Sequence, residues 1–258
     1  MAAVGVIGLG SMGMPMAESL RRAGHEVAGF DVAGKGDCGS VEEVVQRAER
    51  AVIVLVRTTP QVLSVVHEID PERPLDVIVM STVSPAAMSR VDALCEARGL
   101  TALDAPVSGG VAGAEAATLT VMVSGNPEAI ERSRPLFDVL GQRTFVIGEH
   151  AGQAQAVKLA NQLMLAVCMF AAQEGVKLAE QYGVRPDQVL PVIASSTGAS
   201  WAAANWDVVL GWWRDYQPGG ALDIISKDLR TLLVDAAERE LPLPTAALAF
   251  NRLHEVWK

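Results

Sequence analysis

The first 23 residues place a short apolar run, a glycine-rich turn and a helical pattern in immediate succession. Residues 4–7 are rich in β-branched side chains, residues 8–13 read GLGSMG, and residues 14–23 have the period of a helix that ends before Gly24. Apolar runs and helical patterns then alternate as far as residue 147. This alternation predicts an α/β fold with a mostly parallel sheet and helices on both faces.

The pattern changes after residue 148, because no β-rich run follows. The remaining residues predict long helices over 152–182, 186–195, 222–240 and 245–257. We therefore expect two domains: residues 1–149 with a doubly wound sheet of the Rossmann type, and residues 150–258 entirely helical. The helical pattern is poor over 201–213, where four tryptophans cluster: Trp201, Trp206, Trp212 and Trp213. They could pack in a core or line a substrate or dimer surface.

Charge and composition exclude several classes of function. The formal net charge of −9 disfavours nucleic acid and anionic lipid as partners. The three cysteines are scattered and form neither a disulfide framework nor a zinc-binding pattern, which favours a reducing, cytoplasmic setting. The four histidines have no ligand spacing either, so we expect no metal. The longest apolar run, residues 163–172, is about half of the roughly 20 residues that a membrane helix needs. We expect no membrane association.

The glycine turn has the G-x-G-x-x-G pattern of a dinucleotide site, directly after a predicted strand and before a predicted helix. Six residues would hold the pyrophosphate: Gly8, Leu9, Gly10, Ser11, Met12 and Gly13. Asp31 follows Gly13 by 18 positions, close to the spacing of an acid that binds the adenosine ribose. This favours NAD, and the nearby Lys35 leaves NADP open.

Two further segments carry chemistry. Residues 104–110, DAPVSGG, place a proline and two glycines at the end of a predicted strand, so that backbone amides could bind a carboxylate or simply form a turn. Lys158 lies at an apolar, small-residue helix start. A desolvated ammonium there could act as a general acid or base, whereas a surface lysine would only bury its stem.

Five segments together resemble the β-hydroxyacid dehydrogenase family, which includes 3-hydroxyisobutyrate dehydrogenase and tartronate semialdehyde reductase, with 6-phosphogluconate dehydrogenase a more distant relative. They are GLGSMGMPMAESL at 8–20, STVSP at 81–85, DAPVSGG at 104–110, the segment 148–162 that ends in KLANQ, and KDL at 227–229. The resemblance therefore covers nearly the whole chain.

The resemblance implies hydride transfer between NAD(P) and the 3-hydroxy or 3-oxo group of a small carboxylic acid. It makes Lys158 the general acid or base, with the amides of Asn161 and Gln162 orienting the substrate hydroxyl, and it leaves open which amide does this. It assigns the substrate carboxylate to Ser108, Gly109 and Gly110. Further cofactor contacts would come from Arg57, Thr58, Thr82 and Lys227.

Several departures and alternatives remain. Arg57 stands where the family usually has an apolar residue, so an exposed ion-pairing arginine is the alternative role. Residues 31–41 are too short for the helix and strand that the family usually inserts there. An imine reductase-like enzyme or a non-catalytic dinucleotide-binding scaffold would share the fold, and Lys158 argues against both. We expect the site in the cleft between the domains, and apolar helical faces predict a homodimer or homotetramer.

Overall fold

The computed structural model describes residues 3–70 and 72–255, which form eight strands and twelve helices. The strands are β1 (Val4–Ile7), β2 (Val27–Phe30), β3 (Ala51–Val54), β4 (Asp76–Val79), β5 (Thr101–Asp104), β6 (Val107–Ser108), β7 (Leu119–Gly125) and β8 (Gly141–Gly148). The helices are α1 (Gly13–Arg22), α2 (Val41–Arg47), α3 (Thr59–Glu68), α4 (Pro85–Glu96), α5 (Gly110–Glu115), α6 (Pro127–Leu140), α7 (Gln153–Glu180), α8 (Pro186–Ala194), α9 (Trp201–Ala204), α10 (Trp206–Arg214), α11 (Ala221–Glu238) and α12 (Pro244–Glu255).

All the described strands join one sheet in the order β2-β1-β3-β4-β5-β7-β6, with β8 paired to β7. Strands β1 to β5 are parallel, β7 runs antiparallel to β5 and β6, and β8 is parallel to β7. The chain leaves β1 for β2 on one side and returns to β3 on the other, so β1 marks the point where the strand order reverses. Ligands of open α/β sheets bind outside the carboxyl ends of the strands at such a point.

Each face of the sheet has its own apolar core, which explains why the inner strands β1 and β3 are apolar and buried along their whole length. One core packs α1, α5 and α6 on the sheet through residues that include Leu20 and Phe137. The other packs α2, α3 and α4 through residues that include Val44, Val66 and Met88. The predicted α/β architecture with a Rossmann sheet followed by helices is confirmed.

Contacts divide the described chain into two compact units, between Lys158 and Leu159. The second unit is helical, and its core contains Phe170 from α7, Trp206 from α10 and Leu229 from α11. The expected domain boundary at residues 149–150 stays a prediction.

Within the described residues, α7 alone is long and apolar enough to span a membrane by length and composition. A core helix meets the same criterion, and α7 supplies buried residues to this core.

Some elements differ from the sequence expectation. Helix α3 was not predicted, and neither were the two-residue strand β6 and the short helix α5. The tryptophan segment, where the helical pattern is poor, forms α9 and α10. Trp206 is buried, whereas Trp201 is 52% exposed and stacks on Trp212 with ring centroids 5.7 Å apart. The predicted end of the last helix, at residue 257, lies outside the described residues.

Candidate active site

The glycine turn between β1 and α1 uses its three glycines in different ways. A Cβ atom on Gly8 would lie 2.2 Å from the carbonyl oxygen of Leu55, and one on Gly13 would lie 1.9 Å from the carbonyl oxygen of Gly8. Neither position can carry a side chain unless the backbone moves. A Cβ atom on Gly10 would meet nothing within 4 Å, so the space beside this exposed residue is open.

Helix α1 begins directly after this turn, and among the described residues no side chain caps it. Amides at a helix N-terminus, together with the positive end of the helix dipole, bind phosphate. The open space beside Gly10 lets a pyrophosphate approach the backbone. The turn from Gly8 to Gly13, with Leu9, Ser11 and Met12 between the glycines, therefore fits a dinucleotide.

Asp31 follows β2 and is bonded to this turn. Its Oδ2 accepts a hydrogen bond of 2.9 Å from the amide of Leu9, and its Oδ1 accepts one of 2.8 Å from the amide of Ala33. A carboxylate has about four acceptor positions, so each oxygen can accept another hydrogen bond. The half-buried carboxylate thus lies beside the turn with acceptor capacity for a ribose hydroxyl.

The short segment after Asp31 is tied back to the sheet. Residues 31–40, all described, contain neither a helix nor a full strand, only a single bridge between Phe30 and Gly36. The carboxylate of Asp37 accepts a hydrogen bond of 2.8 Å from the amide of Gly29 and forms an ion pair of 2.7 Å with Arg47. An ordered loop therefore replaces the helix and strand that the sequence lacks.

The loops after β3 and β4 carry the other cofactor candidates of the first unit. Thr58 caps α3: its hydroxyl oxygen accepts a hydrogen bond from the amide of Gln61, and its amide donates to the Gln61 side chain at 3.0 Å. Arg57 is exposed, and Thr82 is half-buried just beyond β4. The capping geometry gives Thr58 a structural role that is independent of any ligand.

The carboxylate-binding candidates lie where β6 meets α5. Ser108 ends β6 and pairs with Thr120 of β7. Gly109 and Gly110 are both exposed and have positive φ angles of 136° and 64°. Glycine allows such angles without strain, and turns whose successive backbone amides face one concave site bind anions.

Asp104, the last residue of β5, is fully buried and forms the centre of a polar network. Its Oδ2 accepts hydrogen bonds from the amides of Gly152 at 2.9 Å and Gln155 at 3.1 Å, and from the hydroxyl of Ser124 at 3.2 Å. The Ser124 hydroxyl oxygen in turn accepts from the amide of Ala154 at 3.1 Å. These contacts satisfy donors at the start of α7 that have no partner within the helix.

Burial raises the pKa of Asp104 to about 6, and the hydrogen bonds from Gln155, Gly152 and Ser124 oppose that rise. The carboxyl group is therefore mostly ionised at neutral pH. A negative charge at the first turn of a helix is stabilised by the helix dipole.

The Gln155 side chain connects this carboxylate to the loop after β4. Its Nε2 donates to Oδ1 of Asp104 at 2.9 Å and to the carbonyl oxygen of Ser81 at 3.0 Å. Its Oε1 accepts from the amide of Val83 at 3.1 Å. The Ser81 hydroxyl oxygen accepts from the amide of Val56 at 2.8 Å, which continues the network to the loop after β3.

Lys158 lies in the second turn of α7, three residues after Gln155. Only 6% of its surface is exposed, so it is a buried lysine rather than a surface one. Positions i and i+3 share a face of a helix, so Lys158 follows Gln155 on the side that the network anchors.

The second unit contains Asn161, Gln162 and Lys227. The buried Gln162 donates through Nε2 to Oδ2 of Asp228 at 2.7 Å, and Asn161 donates to the Gln162 side-chain oxygen at 3.4 Å. Lys227 forms an ion pair of 2.8 Å with Oδ1 of Asp228. Asn161 is exposed, so it is the amide of Gln162 that the fold fixes in place.

Sequence reasoning gave no role to Asp104, Gln155 or Asp228. Each lies in a segment that the sequence singles out: Asp104 and Gln155 have small or apolar residues on both sides, and Asp228 lies between Lys227 and Leu229. Their partners are far away in sequence: Gly152 lies 48 positions from Asp104, and Gln162 lies 66 positions from Asp228. A polar residue of this kind signals a buried network, but the sequence does not name the partners.

Two family models match the chain. Residues 3–148 match the NAD-binding domain of 6-phosphogluconate dehydrogenase, and residues 152–257 match a model described as NAD-binding of NADP-dependent 3-hydroxyisobutyrate dehydrogenase. The two models together span almost all of the chain.

Individual relatives agree with these models. A 3-hydroxyisobutyrate dehydrogenase of Pseudomonas aeruginosa is 33% identical, over 97% of this chain and 91% of that protein. An NAD-dependent L-serine dehydrogenase of the same organism is 32% identical, over 98% and 92%. A solved structure of Mycobacterium tuberculosis 3-hydroxyisobutyrate dehydrogenase with L-serine superposes with a TM-score of 0.88 at 32% identity, covering 99% of this chain and 93% of that one. The chain thus belongs to the β-hydroxyacid dehydrogenase family and is an NAD(P)-dependent hydroxyacid dehydrogenase.

Proposed function

We propose that this enzyme transfers a hydride between NAD(P) and the 3-hydroxy or 3-oxo group of a small carboxylic acid, with Lys158 as general acid and base. The observation that carries the proposal is the burial of Lys158, which is 6% exposed on a helix whose start is held by Asp104 and Ser124. Lysine is rarely buried unless its charge has a use or a partner.

The substrate class follows from two features. Ser108, Gly109 and Gly110 offer a hydroxyl and backbone amides that suit a carboxylate. The relatives named for 3-hydroxyisobutyrate and L-serine act on acids whose hydroxyl is on the carbon β to the carboxylate. Binding of the carboxylate at one end would fix the position of the reacting carbon at the other.

NAD(P) supplies or accepts the hydride when it is bound. The glycine turn would hold its pyrophosphate, and Asp31 would hold the adenosine ribose, which favours NAD over NADP. Thr82 and Lys227 would contribute at the nicotinamide end, and Arg57 stays a candidate there.

Lys158 handles the proton. During reduction its ammonium donates a proton to the substrate oxygen, and during oxidation its amine removes the proton from the hydroxyl. Gln162, held by Asp228, would orient the substrate hydroxyl. A non-catalytic scaffold would need none of these groups.

Replacement of Lys158 by Met tests the proposal. Acid–base catalysis contributes about a hundred to ten thousandfold, and the ammonium also stabilises the developing oxyanion, so we expect kcat to fall by at least about a thousandfold. The dissociation constant for NADH, measured by fluorescence titration, should change by less than about twofold. Lys177→Met is a matched control, since Lys177 is an exposed lysine of the same helix, and it should keep its activity. More than about a tenth of the wild-type kcat in Lys158→Met would show that this lysine is not the acid.

A further inference from the structure

We propose that Asp104 is a positioning residue for Lys158: its buried carboxylate fastens the first turn of α7 to the end of β5 and so fixes where the lysine lies. The inference rests on the proposed role of Lys158. It concerns a residue of the DAPVSGG segment to which the proposed function gives no role.

The geometry of Asp104 supports this role. Its two oxygens accept the amides of Gly152 and Gln155, the side chain of Gln155 and the hydroxyl of Ser124, at 2.9 to 3.2 Å. Three of these four groups belong to the start of α7 or to the residue just before it. A capping residue normally precedes its helix in sequence, whereas this carboxylate comes from a strand 48 positions earlier. The first turn of α7 is therefore held by the sheet.

The same contacts reach the cofactor side of the unit. Gln155 holds the carbonyl oxygen of Ser81 and the amide of Val83, the two residues that flank Thr82. Asp104 and Gln155 thus form one hydrogen-bonded network that fixes the positions of Lys158 and of Thr82, the candidate at the nicotinamide end. A displacement of a catalytic group by about 1 Å can lower the rate about a hundredfold. Loss of this network should therefore lower kcat.

Asp104→Asn changes this network at one atom, because it replaces an acceptor oxygen of the carboxylate by a donor NH2 group. If the new amide keeps its oxygen toward the backbone amides of Gly152 and Gln155, its nitrogen faces the Gln155 Nε2, which is also a donor. The Gln155 amide cannot turn over to relieve this, because Val83 needs its oxygen and Ser81 needs its nitrogen. The opposite orientation would place a donor against two backbone donors.

The test is a double-mutant cycle of Asp104→Asn and Lys158→Met, with kcat and the NADH dissociation constant measured for all four proteins. We expect Asp104→Asn to lower kcat about ten to a hundredfold in the wild-type background, and less than about threefold when Lys158 is already Met. The NADH dissociation constant should stay within about twofold, because the glycine turn is intact and Gln155 keeps its hydrogen bonds with Ser81 and Val83. Asp76→Asn is the matched control: it is a buried aspartate paired with Arg132, but it begins β4, at the other end of the strands, and it should keep wild-type kcat.

The outcomes separate the two proposals. An equal fold-loss in both backgrounds, or a fully active Asp104→Asn beside an inactive Lys158→Met, would overturn the positioning role alone. A fully active Lys158→Met would overturn both. If Asp104→Asn does not fold, as judged by circular dichroism, Ser124→Ala takes its place in the same cycle, because it removes the hydroxyl that joins Asp104 to the amide of Ala154 and leaves the contacts of Gln155 intact.

Discussion

At the scale of single residues, we propose that Asp31 determines how the adenosine end of the cofactor is recognised. Its carboxylate accepts from Leu9 inside the glycine turn and from Ala33 in the following loop, so it is held rigidly at the end of β2. A ribose with two free hydroxyls can donate to it, whereas a 2′-phosphate would bring a second negative charge to the same place.

We therefore expect NADH to bind more tightly than NADPH, and Asp31→Ala to narrow the difference. A hydrogen bond to a charged group is worth about 1.5–3 kcal/mol, so the ratio of dissociation constants should fall about tenfold or more. Fluorescence titration with both cofactors measures this ratio. A loss of affinity that NADH and NADPH share, such as one caused by a distorted glycine turn, leaves the ratio unchanged. Glu26→Ala removes an equal charge from an exposed position before β2 and should leave the ratio unchanged. Equal affinities in the unmodified protein would contradict the assignment.

At the scale of elements, local patterns predicted those elements that local forces determine. Strand β1 is buried along its whole length, and helix α6 begins with an Asn cap and a proline, so both are visible in the sequence. Helix α3 begins at Thr59-Pro60 and is rich in valine, which favours strands, and its capping box with Gln61 outweighs that preference. Strand β6 has two residues, and only its pairing with β7 defines it.

In the glycine turn, we expect one substitution to weaken NADH binding without loss of protein stability, and another to lower the stability of the fold. Gly10→Ala adds a methyl group to open space, so the free energy of unfolding should change by less than about 1 kcal/mol. The methyl group would occupy the approach to the pyrophosphate, and NADH affinity should fall at least about tenfold. Gly13→Ala forces a Cβ against the carbonyl oxygen of Gly8 and should destabilise the fold by about 1–3 kcal/mol. Urea unfolding and NADH titration of both variants would measure these effects, and unaltered NADH binding in Gly10→Ala would refute the placement of the pyrophosphate.

At the scale of the whole molecule, the order of segments was enough to predict an α/β domain followed by helices. The candidate site was only partly predictable. Glycines in a turn have a local reason that a sequence reveals, and so Gly8, Gly10 and Gly13 could be proposed as part of a dinucleotide site. The roles of Asp104 and Asp228 depend on partners 48 and 66 positions away, and no local spacing encodes such pairs.

Self-association stays a prediction at this scale. The second unit exposes large apolar side chains, among them Met164, Leu178, Tyr182 and Leu248, each more than 60% exposed. Exposed apolar surface of this kind is typical of interaction faces. We expect light scattering at micromolar concentration to give two or four times the chain mass of 27.2 kDa. A mass equal to one chain would contradict this expectation.

The most direct test of the account follows the hydride itself. The enzyme would be incubated with NAD and with 3-hydroxy acids deuterated at carbon 3, beginning with 3-hydroxyisobutyrate and L-serine, and the reduced cofactor analysed by mass spectrometry. We expect one deuterium on the nicotinamide ring for each substrate oxidised, and a slower rate than with the unlabelled acid. Reduced cofactor without deuterium, or no reduction with any 3-hydroxy acid, would contradict it.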